Sequence, residues 1–334
     1  MRVWDFSRCL FGISAATAML AGCGGHANNG VVPSGDAPNS LPNHKSFHYT
    51  GGAQDFTVPA GVTRITVVAR GAKGAGYRAF DGRHIIRTFG VPLGYKSGDV
   101  YGGRVRAVIP VTPREKLIVY VGGDASGEAG GYNGGGSGAY DSFGGLGGGG
   151  ASDVREGGHT LSDRIVVAAG GGGFGNEAGE AFCPTPIGGK GGNLTGGTGI
   201  GGRQGYDQCG GGGSGGTQSV GGFGGAGGND CHPGYDGEPG SNGTFGAGGS
   251  GGAGSSTGTS SGGSYFAPGG GGGGGGYYGG GGGGGSCDIY GTWYGGVGGG
   301  AGGGSSYAEP SATDVQMWRG WKNPAPNGLV VFSW

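Results

Sequence analysis

Glycine sets the terms on which this chain can fold, because 82 of its 102 glycines lie between Gly122 and Gly304. A segment so poor in side chains cannot build a core by apolar burial. Each glycine also loses more backbone freedom on folding than any other residue. The stretch is therefore either a disordered spacer or is held by contacts between backbones. Collagen is excluded: it needs glycine at every third position among abundant prolines. Here glycine comes in runs, such as Gly269 to Gly276 and Gly279 to Gly285, and proline totals 15. Two patterns oppose plain disorder. Aromatic residues punctuate the stretch, among them Tyr132, Phe174, Phe245 and Trp293, and four cysteines lie inside it.

The formal net charge is −1, and Lys and Arg form no cluster along the chain. That excludes the electrostatic footprint of a nucleic-acid binder. The N-terminus has the layout of an export signal, with Arg2 and Arg8 ahead of a short apolar run from Cys9 to Leu20. The run is too short to span a bilayer as a stop-transfer helix. Leu20-Ala21-Gly22-Cys23 resembles the lipobox of bacterial lipoproteins. The resemblance implies a signal over residues 1–22, cleavage before Cys23 and diacylglycerol on that thiol, which gives stable membrane anchoring. Gly24 follows in place of Asp, which in such lipoproteins points to the outer membrane, facing the periplasm or the cell surface. A plain secretory signal that happens to hold a cysteine is the alternative. Residues 23–45 read as a flexible Gly/Asn/Pro/Ser tether.

With Cys9 lost and Cys23 lipidated, Cys183, Cys209, Cys231 and Cys287 remain. An even number in an exported chain implies two disulfides, with three pairings open. Each would contribute about 2–4 kcal/mol by restricting the unfolded chain.

Residues 46–121 carry β pattern. Phe47-His48-Tyr49 and Asp55 to Val58 are short β-prone runs, and Val62 to Arg70 alternates with Ile65, Val67 and Ala69 on one face. Ile85 to Phe89, Arg104 to Val111 and Leu117 to Val121 continue it. Within the glycine-rich stretch, residues 151–169 hold a β hairpin pattern, Ala151 to Arg155 and Asp163 to Ala169. Residues 305–334 end in Leu329-Val330-Val331-Phe332-Ser333-Trp334, a strong strand. A β-sandwich closing across an inserted segment, residues 122–304, is the expected architecture. No helix of useful length is expected after the signal.

Phe56 to Thr63 with Ile65-Thr66-Val67, Gly149 to Arg155, and Asp163 to Ala168 before a glycine run resemble bacterial glycine-rich β-domain proteins. Gly269 to Gly285 with Tyr277-Tyr278, Gly298 to Ser306 and Asn327 to Val331 resemble the glycine-rich domain of the anaplastic lymphoma kinase and leukocyte tyrosine kinase receptors. The resemblance implies a TNF-like jelly roll carrying bundled polyglycine helices of polyproline-II geometry. That geometry has no internal hydrogen bonds, so its polar groups must bond sideways to neighbours. Cα–H···O contacts between close glycine backbones would add about 0.5–1 kcal/mol each.

Motifs that could carry chemistry are weak. G-x-G-x-x-G recurs by chance, and Gly189-Lys190 is followed by Gly191 where a phosphate loop needs Ser or Thr. Gly-x-Ser-x-Gly around Ser214 and Ser250 lacks the strand and helix of a nucleophile elbow. Asn229-Asp230-Cys231-His232 with Asp236 and Glu238 lacks zinc spacing and reads as a disulfide in a polar surface loop, with calcium at Asp230, Asp236 and Glu238 as the weaker option. Asp153, Arg155, Asp163 and Arg164 read as cross-strand ion pairs. No cofactor or metal is expected. The candidate binding residues are Tyr277, Tyr278, Asp288, Tyr290, Trp293, Tyr294, Trp318, Arg319 and Trp321, because aromatic and arginine side chains anchor partners; capping the glycine bundle or filling the sandwich is the bland role for them. The expected function is a non-enzymatic binding, adhesion or structural module for a surface protein or glycan. An envelope or extracellular glycan hydrolase and an ice- or water-ordering glycine surface are the alternatives.

Overall fold

The computed structural model describes residues 43–76, 100–140, 144–177, 183–202, 208–229, 235–255, 267–287, 296–322 and 325–334. The strand expected at Ile85 to Phe89 lies outside them. Among the described residues there are ten strands and one 3-10 turn, Leu161–Asp163. The strands are β1 (His44–Phe47), β2 (Ala53–Thr57), β3 (Arg64–Arg70), β4 (Arg104–Pro110), β5 (Lys116–Tyr120), β6 (Ser152–Glu156), β7 (Arg164–Ala168), β8 (Tyr307–Ala308), β9 (Thr313–Trp318) and β10 (Leu329–Ser333). They form two five-stranded antiparallel sheets, ordered β1-β10-β3-β4-β9 and β2-β5-β6-β7-β8.

Alternation makes these segments strands with one buried face. In β3, Ile65, Val67 and Ala69 are fully buried while Arg64, Thr66, Val68 and Arg70 turn outward. In β4 the buried set is Val105, Ala107 and Ile109, which leaves Arg104 and Arg106 on the outer face. The inner faces of the two sheets share one apolar core that includes Phe47, Phe56, Leu117, Val154, Val166 and Phe332. Phe332 packs edge-on against Phe47 and Phe56, with ring centroids 5.1 and 5.0 Å away. The two ends of the sandwich sequence meet: β1 pairs with β10, and the Trp334 amide donates to the Asn43 carbonyl at 3.0 Å.

The chain leaves the second sheet after β5, returns for β6 and β7, and leaves again at Gly170. The glycine runs outside the sheets are mostly buried and hydrogen-bonded. In Gly270 to Gly275 the direction of donation repeats every third residue. Gly270 and Gly273 donate to Gly252 and Gly249; Gly271 and Gly274 donate to Gly299 and Gly302; Gly272 and Gly275 donate to Leu146 and Gly149. All six bonds are 2.8–2.9 Å long. One run is thus bonded to three neighbours, two of them advancing in the same direction and one in the opposite direction.

Cys183 and Cys209 form a disulfide with Cα atoms 6.1 Å apart. Cys287 is also disulfide-bonded, and Cys231 lies outside the described residues. The ion pair of β6 runs along one strand instead of across two: Arg155 Nε lies 2.7 Å from Asp153 Oδ1. Residues two apart share a face, whereas the partner directly across from Arg155 is another arginine, Arg164. Asp163 instead accepts from the Thr160 amide and hydroxyl, each at 2.7 Å.

Candidate functional site

Tyr277 and Tyr278 form the turn between two glycine runs. Ser305 fixes that turn, accepting from the Tyr277 amide through its carbonyl at 2.7 Å and from the Tyr278 amide through its hydroxyl at 3.1 Å. Tyr277 stacks on Tyr307 of β8, with centroids 4.1 Å apart and planes 9° apart. Phe245 meets Tyr277 and Tyr278 edge-on at 5.2 and 5.3 Å. Into this cluster projects Arg164, which is 4% exposed. Its guanidinium lies 4.6 Å from the Phe245 centroid and donates to the carbonyls of Gly276 at 2.8 Å, Tyr277 at 3.1 Å and Leu161 at 2.9 Å. Burial pulls its pKa down to about 10, against the opposing pull of Asp153, so it stays charged at neutral pH. The cluster is a joint that fastens the glycine runs to the second sheet, and it uses up the ring faces of Tyr277.

Trp318 and Trp321 stand elsewhere, at the β9 edge of the first sheet. Their centroids are 5.5 Å apart, and both are half-buried. The arginine they hold is Arg104 of β4, opposite Trp318 in register, with its guanidinium 4.3 Å from one ring and 4.4 Å from the other. Arg319, their neighbour in sequence, turns away and donates to the carbonyl and hydroxyl of Thr195 at 3.0 and 2.8 Å. The Trp321 amide donates to Gly102 at 2.8 Å, which seats the pair on the end of β4. The outer face beside them carries Arg70, directly across from Arg104, and Arg106, across from Gln316.

The remaining candidates, Asp288, Tyr290, Trp293 and Tyr294, lie outside the described residues. Sequence reasoning passed over Arg70, Arg104 and Arg106. The signal was present, since Arg104-Val105-Arg106-Ala107 alternates and so sets both arginines on one face, but only strand pairing brings Arg104 to the tryptophans.

Two carboxylates meet at one end of the second sheet. Glu115 and Glu156 border an open hollow of about 460 Å³ with Lys116, Ile118 and His159. Burial, the charges of Glu115 and Glu309, and a hydrogen bond with Glu115 all push the Glu156 carboxyl above its usual range. Among the described residues no group of three His, Cys, Asp or Glu side chains is arranged to hold a metal. No family model matches the chain, and no curated protein is significantly similar to it.

Proposed function

We propose that this chain is a lipid-anchored envelope protein that acts as a non-enzymatic binding module, with a glycan or surface protein as its partner. The observation that carries the reading is the half-buried pair Trp318 and Trp321, presented at the β9 edge of the first sheet and backed by Arg104. Flat aromatic surface at low conformational cost is what recognition of a sugar ring or a partner side chain requires. The anchor would be Cys23, as the lipobox-like Leu20 to Cys23 implies, with the outer membrane as its destination.

The finer architecture belongs to the same proposal. The threefold repeat of hydrogen-bond direction in Gly270 to Gly275 fits bundled polyglycine helices with three residues per turn. The pairing of the first strand with the last fits a jelly-roll-like sandwich of the kind the receptor glycine-rich domains possess.

The test is a binding screen of the full-length, detergent-solubilised chain against glycans and envelope extracts. Trp321→Ala is expected to weaken the bound partner about tenfold or more, as loss of an aromatic anchor does. A partner bound equally well by the Trp318→Ala and Trp321→Ala variants would remove this surface from the account. Cys23→Ser is expected to abolish incorporation of labelled palmitate; labelling that persists would end the lipoprotein reading. The hydrolase alternative has its foothold at Glu115 and Glu156. It would require turnover of a screened glycan that Glu156→Gln eliminates.

A further inference from the structure

We propose that the outer face of the first sheet binds an acidic polysaccharide, whose carboxylate or sulfate groups pair with Arg70, Arg104 and Arg106 while its sugar rings pack beside Trp318 and Trp321. This names the ligand class for the binding surface proposed above and rests on that reading. The register sets the three arginines close together. Arg70 is directly across from Arg104, so their Cβ atoms are about 5 Å apart, and Arg106 follows two residues along the same face, about 7 Å on. Arg64 extends the row at the far end of β3, where it donates to the Thr313 hydroxyl at 2.7 Å.

Nothing among the described residues neutralises this row. None of Arg70, Arg104 and Arg106 forms an ion pair there, and the charges that bear on Arg104 are those of Arg70 and Arg106. The Nε–H groups of Arg70 and Arg104 are both buried and lack an acceptor. Like charges directly opposite one another weaken a sheet, and a buried donor without an acceptor is a further cost. A sheet folded for stability alone would place a carboxylate across from Arg70; here the fold sets three half-buried arginines on the outer face of the sheet. The guanidinium fork matches the planar, two-oxygen edge of a carboxylate and the oxygens of a sulfate.

The surface also argues for a polymer of sugars. Its arginines follow one another across and along paired strands, a spacing that suits an extended chain better than a single small anion. The tryptophans at its edge offer apolar ring surface to the C–H faces of a pyranose. A nucleic acid would call for a broader basic field than three arginines on a chain of net charge −1.

The experiment titrates the full-length chain in detergent with polygalacturonate, heparin, dextran and single-stranded DNA. Polygalacturonate and heparin are expected to bind, more weakly as salt rises, and dextran about tenfold or more weaker than either. The Arg70→Gln/Arg106→Gln double variant is expected to lose about tenfold or more of the acidic-glycan affinity. Its melting temperature should not fall, because like charges have been removed from one face. Unchanged affinity in the double variant would overturn the proposal, as would single-stranded DNA binding as tightly as polygalacturonate. Dextran bound as tightly as polygalacturonate, and lost with Trp321→Ala, would overturn the acidic ligand class and leave the glycan-binding reading standing. Binding to no glycan at all would overturn the acidic-polysaccharide proposal and leave a surface protein as the partner of the module.

Discussion

A Cβ built on Gly273 would sit 2.0 Å from the carbonyl oxygen of Gly280 and 3.0 Å from the amide nitrogen of Gly249. Both are backbone atoms of hydrogen-bonded neighbours, so neither can withdraw without breaking the network. Gly249 itself accepts the Gly273 amide at 2.8 Å and donates to Gly280 at 2.9 Å. Gly52 is the contrast: a Cβ there would meet nothing within 4 Å, and its φ is not positive. Gly273→Val is expected to cost more than the about 1–3 kcal/mol of an ordinary overpacked core, since backbone must move as well as side chain. Gly52→Ala is expected to be neutral or stabilising by up to about 1 kcal/mol, through the unfolded chain. Thermal melts of the two variants check this directly; equal stability would mean that the glycine runs are not packed backbone to backbone. Composition reveals that side-chain burial cannot hold this stretch. It does not reveal which run bonds to which, because identical glycines carry no register information.

At the scale of elements, the second sheet concentrates negative charge at one end. Glu115 precedes β5, Glu156 closes β6, and Glu309 follows β8 with its amide bonded to the Ile165 carbonyl at 2.8 Å. Because the folded state raises the Glu156 pKa, protonation favours folding. The stabilisation is complete below the ordinary glutamate pKa of about 4.3 and is lost as pH rises through the raised value. Glu156→Gln is therefore expected to raise the melting temperature near neutral pH and to leave it unchanged in acid below about pH 4. A parallel offset at both pH values would assign the effect to something other than ionisation. Elements of this kind differ in how openly the sequence declares them. β3 and β4 bury every second residue, so their alternation is legible. β9 is mostly exposed at a sheet edge, and its register with β4 shifts between Arg106 and Val108, so no alternation marks it. The candidate surface was legible to the same extent: Trp318 and Trp321 stand out as aromatics. The arginine stacked on them, Arg104, is distant in sequence and is brought there by strand register.

Across the whole molecule, two kinds of order coexist. The sandwich is held by side-chain burial, with Ile65, Val67, Val105, Leu117 and Val330 among its fully buried residues. The glycine runs are held by amide-to-carbonyl bonds between runs distant in sequence, such as Gly283 to Gly271, Gly299 to Gly284 and Gly284 to Gly211. Such bonds close long loops for little apolar reward, so cross-links should matter most there. Cys183 and Cys209 close 26 residues, which is worth about 3–4 kcal/mol in the chain-entropy picture. Peptide mapping of the unreduced protein is expected to return Cys183 joined to Cys209 and no free thiol at Cys287. Hydrogen exchange should then separate the two kinds of order. Amides of Gly270 to Gly275, Gly280 to Gly285 and Gly299 to Gly304 are expected to exchange far more slowly than a free glycine peptide. Reduction should speed them before it affects β3, β4 and β10, whose burial does not depend on sulfur. Exchange in the oxidised protein as fast as in the peptide would mean that the network is not a stable structure in solution. Simultaneous loss of protection in both parts on reduction would mean instead that sandwich and glycine runs unfold as one unit, with the Arg164 joint strong enough to couple them.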